Sequence, residues 1–286
     1  MSGTYGTVNG FTYGWATPLA GFLMACLGAA LGLRCTTRAL AMHPSRRAGW
    51  LALGSAAIGS GIWTMHFIAM MGFTVGEVRI TYDTLVTFES LLVAVVVVAL
   101  GVFLVGFVGR TLPAVLAGGC VTGLGIAAMH YMGMRGMRLR GDLEYTQSTV
   151  VLSVGVAVLA ATVALWSAVS VRRLYAGVLA SLVLGFAVTA MHYIGMAALT
   201  VHLHSGAREG SSGAGPAAFL APVLIGPVVF LFLAGVVVAL DPPVGDFDPE
   251  SEPEPAPARG RRSSRAARSS HAARPSRVRE RPRERQ

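Results

Sequence analysis

TMHFIAM at residues 64–70 returns as AMHYMGM at 128–134 and again as AMHYIGM at 190–196. Each copy is Met-His-aromatic, then two residues, then a second Met. His66, His130 and His192 stand 64 and 62 residues apart, so the repeating unit is far longer than the phrase. Each copy closes an apolar run rich in small residues: GSAAIGSGIW, GGCVTGLGIAA and LASLVLGFAVTA. Recurrence at a nearly fixed period points to duplicated supersecondary units. The runs that the phrase closes are long enough to cross a bilayer, and that decides the fold.

Seven such runs are found, at about 15–33, 49–71, 84–108, 113–134, 149–171, 174–199 and 217–240. Each is roughly the 17–25 residues that a hydrocarbon core requires. The composition agrees: 53% hydrophobic, 13% charged, mean hydropathy +0.61. Unbroken apolar runs are not the alternation of a membrane barrel. The expected fold is therefore an all-α membrane protein, a seven-transmembrane helix bundle with internal two-helix repeats over residues 1–240. No charged residue precedes Arg34, so the first run is expected to remain as an anchor rather than be cleaved as a signal peptide. Cys26, Cys35 and Cys120 form no CxxC pair and support neither a disulfide scaffold nor a zinc ribbon.

After Leu240 the chain turns acidic and Pro-rich, then Arg/Ser-rich, and residues 241–286 are expected to be a disordered tail. All 23 basic residues of the chain are Arg, a bias from which no mechanism is drawn. Those from Arg259 to Arg285 form a polybasic segment expected to favour anionic membrane lipids, at about 1 kcal/mol per residue near the surface. No specific nucleic acid is expected, since charge alone binds any polyanion.

Arginine placement sets the orientation. With the N-terminus outside, Arg34, Arg38, Arg46, Arg47, Arg110, Arg172 and Arg173 fall inside, against Arg79, Arg135, Arg138, Arg140 and Arg208 outside. The expectation is a multi-pass plasma-membrane protein with its N-terminus out and its C-terminus in the cytoplasm. The phrase then falls on spans two, four and six, which run in the same direction. Each His lies about 26–27 Å along its span at 1.5 Å per residue, which sets all three at one depth near the outer face.

Within each copy His and the second Met are four residues apart: His66/Met70, His130/Met134 and His192/Met196. That spacing puts them on one helix face, with the first Met turned about a quarter-turn away. Thioether and imidazole donors together suit copper, above all Cu(I), better than the hard cations. The competing readings are haem, for which His and Met are both axial ligands, and plain packing, with the imidazole bonded to a carbonyl and the aromatic in an interfacial belt.

The threefold Met-His-Tyr/Phe pattern on alternate spans resembles the MHYT-domain family of bacterial membrane proteins, over roughly residues 10–240. The resemblance implies a sensor domain that binds copper through the motif and detects oxygen, carbon monoxide or nitric oxide. Carried over by motif, the implied ligands are Met65, His66, Met129, His130, Met191 and His192. None of the copies ends in Thr, having Ile68, Met132 and Ile194 instead, and the first has Phe67 in place of Tyr. Family members often continue into a diguanylate cyclase, phosphodiesterase or kinase. No such domain is expected in residues 241–286, so a cytoplasmic signalling partner in trans is implied.

Glu89 inside span three is either a relay group or close enough to the interface to hydrate. Trp63, Tyr131 and Tyr193 read as belt or packing residues. His202 and His204 read as a loop pair, inert or passing metal inward. Pro222 and Pro227 are candidates to kink span seven. No P-loop, nucleophile triad, acid/base carboxylate pair or dinucleotide fingerprint is found, and enzymatic activity has no support. A sensory or signalling protein is the leading function. Copper transport or metal handling is the alternative, disfavoured because transporters place polar sites near the midplane.

Overall fold

The computed structural model describes residues 4–76, 78–170, 174–204 and 216–240. The tail from 241 on lies outside the described residues, as do Arg172, Arg173 and Arg208. Seven long apolar helices stand where the sequence puts them: α1 Ala16–Ala41, α2 Pro44–Met71, α3 Thr84–Val108, α4 Leu112–Gly136, α5 Gln147–Ser170, α6 Leu174–Ala197 and α7 Pro216–Leu240. The first runs on to Ala41 instead of stopping near residue 33. Hydropathy ends at Arg34, but helical bonding does not: the Thr36 hydroxyl donates to Gly32 O and the Thr37 hydroxyl to Arg34 O. Pro222 and Pro227 both sit inside a continuous α7.

Local chemistry sets the helix starts. Pro44 opens α2, where a missing N–H is harmless. The Thr111 hydroxyl caps α4 by accepting from Ala114 N. Asp83 caps α3, accepting from Leu85 N and Val86 N at 3.1 and 3.2 Å and pairing with Arg138. The Val86 N–H and then the Arg138 guanidinium hold its carboxyl below the usual carboxylate range.

Helices α1 to α6 each pack on the next, and α6 closes on α1; α7 lies against α2 and α1. Leu92 and Leu100 of α3, Leu159 of α5 and Phe232 of α7 point outward and are exposed. Surface of that kind costs about 25 cal/mol per Å² in water, so the bundle faces lipid. Inside, Trp63 is fully buried and clamps α2 to α3, donating from Nε1 to Ser90 Oγ at 2.9 Å and to Thr87 O at 3.2 Å. Trp63→Phe removes the donor, and a fall of about 1–3 kcal/mol is expected, read as a lower thermal midpoint in detergent.

Short strands, which hydropathy does not register, cover the end of the bundle where α2, α4 and α6 finish. They are β1 Thr4–Tyr5, β2 Val8–Asn9, β3 Thr74–Val75, β4 Thr81–Tyr82, β5 Met137–Arg138, β6 Gly141–Tyr145 and β7 Leu199–Leu203. Each connection pairs with the next: β4 with β5, and β6 with β7, all antiparallel. The N-terminal segment joins the third connection to the first, through β1 on β7 and β2 on β3. In β7, Leu199, Val201 and Leu203 turn into the core while Thr200 and His202 do not, the alternation that a half-buried strand needs.

Candidate metal centre

The three motif histidines sit just over one turn before the ends of α2, α4 and α6, all fully buried. Their Nδ1 atoms form a triangle: His66 to His192 3.1 Å, His66 to His130 3.2 Å, His130 to His192 3.3 Å. The rings stand nearly perpendicular, with interplanar angles of 89°, 80° and 89°. Each imidazole also meets the aromatic next to it edge-on, His66 with Phe67, His130 with Tyr131 and His192 with Tyr193. The sequence repeat has become a threefold arrangement in space.

A neutral imidazole carries one N–H and one lone pair. Three Nδ1 atoms facing one another cannot all be satisfied by hydrogen bonds, because a protonated nitrogen does not accept and two lone pairs do not bond. The Nε2 atoms of His66 and His130 are also buried without a partner. A cation among the three Nδ1 lone pairs resolves the conflict. Three nitrogens bound at about 2.0 Å on tetrahedral corners lie about 3.3 Å apart, close to the edges found here.

The far side of two rings is fitted by glycine. A Cβ at Gly133 would lie 2.6 Å from His66 Nε2, and one at Gly195 would lie 2.5 Å from His130 Nε2. Each is the third residue after the motif histidine of its own copy, so one repeat cradles the imidazole of the repeat before it. In the first copy that position is Ala69. The third slot is accordingly not closed: His192, Ala69 and Met70 line a cavity of about 280 Å³ whose other walls include Phe11, Tyr193 and Met196. Sequence reading had not singled out Gly133, Gly195 or Ala69, although all three stand within the quoted phrases.

The methionines follow a less uniform plan. Met65, Met70, Met129, Met134 and Met191 are buried in one apolar cluster, with Met196 packed on it. Met65 lies against α1, where a Cβ on Gly21 would meet its Cγ at 3.4 Å. Met70 and Met196 face the cavity at His192. His66, His130 and His192 converge on one point. Three imidazoles suit zinc, copper, iron or nickel. The buried polar side chains among the described residues are Ser, Thr and His, with no carboxylate. Desolvation of an ion rises with the square of its charge, so a divalent ion bears about four times the cost of a monovalent one here. The donor set and its surroundings therefore fit Cu(I). They do not fit haem: no macrocycle lies between rings whose nitrogens are 3.1–3.3 Å apart.

The remaining candidates lie elsewhere. Glu89 is exposed on the second turn of α3, outside the core and away from the triad. The Tyr131 hydroxyl meets Ser153 at 2.7 Å, a packing role. His202 and His204 belong to and follow β7 rather than a free loop, bonding Glu144 at 3.1 Å and Asp142 at 2.9 Å.

Comparison with known proteins agrees with this geometry. The family model for MHYT, "Bacterial signalling protein N terminal repeat", matches three times, over residues 59–118, 123–181 and 185–242. The chain is 37% identical over 203 residues to the cyclic di-GMP phosphodiesterase NbdA of Pseudomonas aeruginosa, covering 68% of this chain and 25% of that protein. It is 36% identical over 198 residues to the bifunctional diguanylate cyclase/cyclic di-GMP phosphodiesterase MucR of the same organism, covering 67% and 28%. With the signaling protein YkoW of Bacillus subtilis the figures are 31% over 203 residues, 67% and 24%. The chain thus spans about a quarter of the length of these curated relatives. No solved structure matches it. Three copies of one repeat, on three helices that meet at their histidines, make this chain a member of the MHYT family of bacterial membrane signalling proteins.

Proposed function

We propose that this domain is a membrane sensor whose His66–His130–His192 triad holds one copper ion, as Cu(I). The observation that carries the reading is the buried Nδ1 triangle with edges of 3.1–3.3 Å, in a core that holds no carboxylate among the described residues. Copper held by His66, His130 and His192 would supply the ligand-binding chemistry by which oxygen, carbon monoxide or nitric oxide is read. The protein's own part is to hold the rings edge-on, bury them and supply no charge that would favour Cu(II). The triad end faces outward and the C-terminus lies in the cytoplasm, where the response passes to a partner. Relatives named for cyclic di-GMP turnover support that class of partner.

Anaerobic titration of the purified protein with Cu(I) is expected to saturate at one ion per chain. Carbon monoxide should then give a copper-carbonyl infrared band. No uptake overturns the metal reading, and a haem Soret band in the purified protein would replace copper with haem. For orientation, an alkaline phosphatase fusion after Gly76 is expected to be active and one after Arg47 inactive; the reverse pattern places the triad on the cytoplasmic side.

A further inference from the structure

The threefold arrangement is broken at Ala69, and the break lies beside His192, a motif histidine that lines a cavity. His66 and His130 have sealed Nε2 atoms, each set against a glycine. His192 has no such slot, because the position that would supply it is Ala69, and its ring borders the cavity instead. Met70 comes into that cavity from the end of α2 and Met196 from the end of α6. At its mouth Phe11 stacks on Tyr193, centroids 5.5 Å apart and planes within 8°. Phe11 is 46% exposed, whereas His192 is 1% exposed, so the cavity runs from the surface to the triad.

We infer that this cavity is a transit subsite for a soft monovalent metal ion, with Met70 and Met196 receiving the ion under Phe11 and passing it to His192. The inference rests on the reading of the triad as a metal centre and assigns these two thioethers to the route rather than to the final ligand set. The chemistry is specific. Thioethers bind Cu(I) or Ag(I) but compete poorly for hydrated divalent ions. Among the described residues no charged side chain lines the cavity, so a hard cation shedding water there gains little in exchange.

The segment that carries Phe11 is held in place at the mouth. Phe11 N donates to the Asn9 side-chain oxygen at 2.8 Å, and Thr12 N donates to Gly72 O at 3.1 Å. The Thr12 and Thr74 hydroxyls meet at 3.1 Å. Its anchors are the end of α2 and β3, while the stacking partner Tyr193 belongs to α6. Breaking the stack therefore opens the mouth without undoing the anchors.

The experiment separates route from destination by measuring uptake rate and final content in the full-length protein. Metal-free protein in nanodiscs is mixed with Cu(I) held by a chromogenic chelator, and with Ag(I) as a redox-inert second probe. The double variant Met70→Leu/Met196→Leu keeps the volume and loses both sulfurs. It is expected to load about tenfold more slowly, equivalent to about 1.4 kcal/mol on the barrier, and to reach the same one ion per chain. Phe11→Ala is expected to load faster, and Met132→Leu, a motif methionine outside the cavity, at the original rate. An unchanged rate in the double variant overturns the route. A lost ion in the double variant also overturns it, because the sulfurs then belong to the centre itself. If the unaltered protein takes up no ion, the metal centre falls first and the route with it.

Discussion

His130→Ala is expected to reduce bound copper from one ion per chain to background, and His66→Ala and His192→Ala to do the same. Each imidazole contributes one corner of a triangle, and two corners cannot hold a soft ion against competing thiols. The expected loss of affinity exceeds the 10–100-fold that outer-shell changes bring. A second measurement separates this from lost packing. Bound metal stabilises the folded state by mass action, so the unaltered protein should melt higher with copper than without. In His130→Ala that gap should vanish, while the metal-free midpoint stays close to that of the unaltered protein, because the change also removes a buried unpartnered nitrogen. Full copper content in all three single variants would return the triad to a packing role.

The second large effect needs no ligand to change. Gly195→Ala puts a Cβ 2.5 Å from His130 Nε2 and 3.0 Å from its Cδ2, closer than such atoms approach. The ring must tilt, and its Nδ1 then leaves the triangle. Elsewhere in a helix the same substitution favours the fold by about 1 kcal/mol; here overpacking of about 1–3 kcal/mol opposes it. The sign is therefore diagnostic. Gly155→Ala on α5, where a Cβ meets nothing within 4 Å, should be neutral or stabilising. Gly195→Ala should lower the thermal midpoint and the copper content together, and retention of full copper would show that the glycine does not position the ring.

The spans were legible because lipid imposes a length and a composition that a hydropathy reading detects, from α3 at 84–108 to α7 at 216–240. The triad was legible because triplication marked His66, His130 and His192 and parallel spans set them at one depth. Spacing alone could not divide the methionines. The four-residue interval puts Met70 on the face of His66, yet Met70 opens onto the cavity at His192, because three helices converge and a face of one borders the next. Gly133 was hidden among 35 glycines, many of which serve helix contacts. Its role depends on the ring of a different repeat. Nor did the strands leave a trace, since two-residue pairings such as Thr81–Tyr82 with Met137–Arg138 carry no periodicity.

The pairing of β1 with β7 has a bearing on the order in which the molecule is assembled. Thr4 meets Leu203, so β1 waits for nearly the whole bundle to be made before it finds its partner. Closing a loop of that length carries an entropic charge that local helix hairpins do not, and pairings so distant in sequence form late. Helix α6 and its histidine must be in the membrane before β7 exists to be paired. The stretch that carries Phe11 is different: β2 and Thr12 find β3 and Gly72 once α2 is in place, so Phe11 waits only for Tyr193 of α6. The N-terminal segment is thus fastened in two stages, its Phe11 end by the first connection and its Thr4 end by the last.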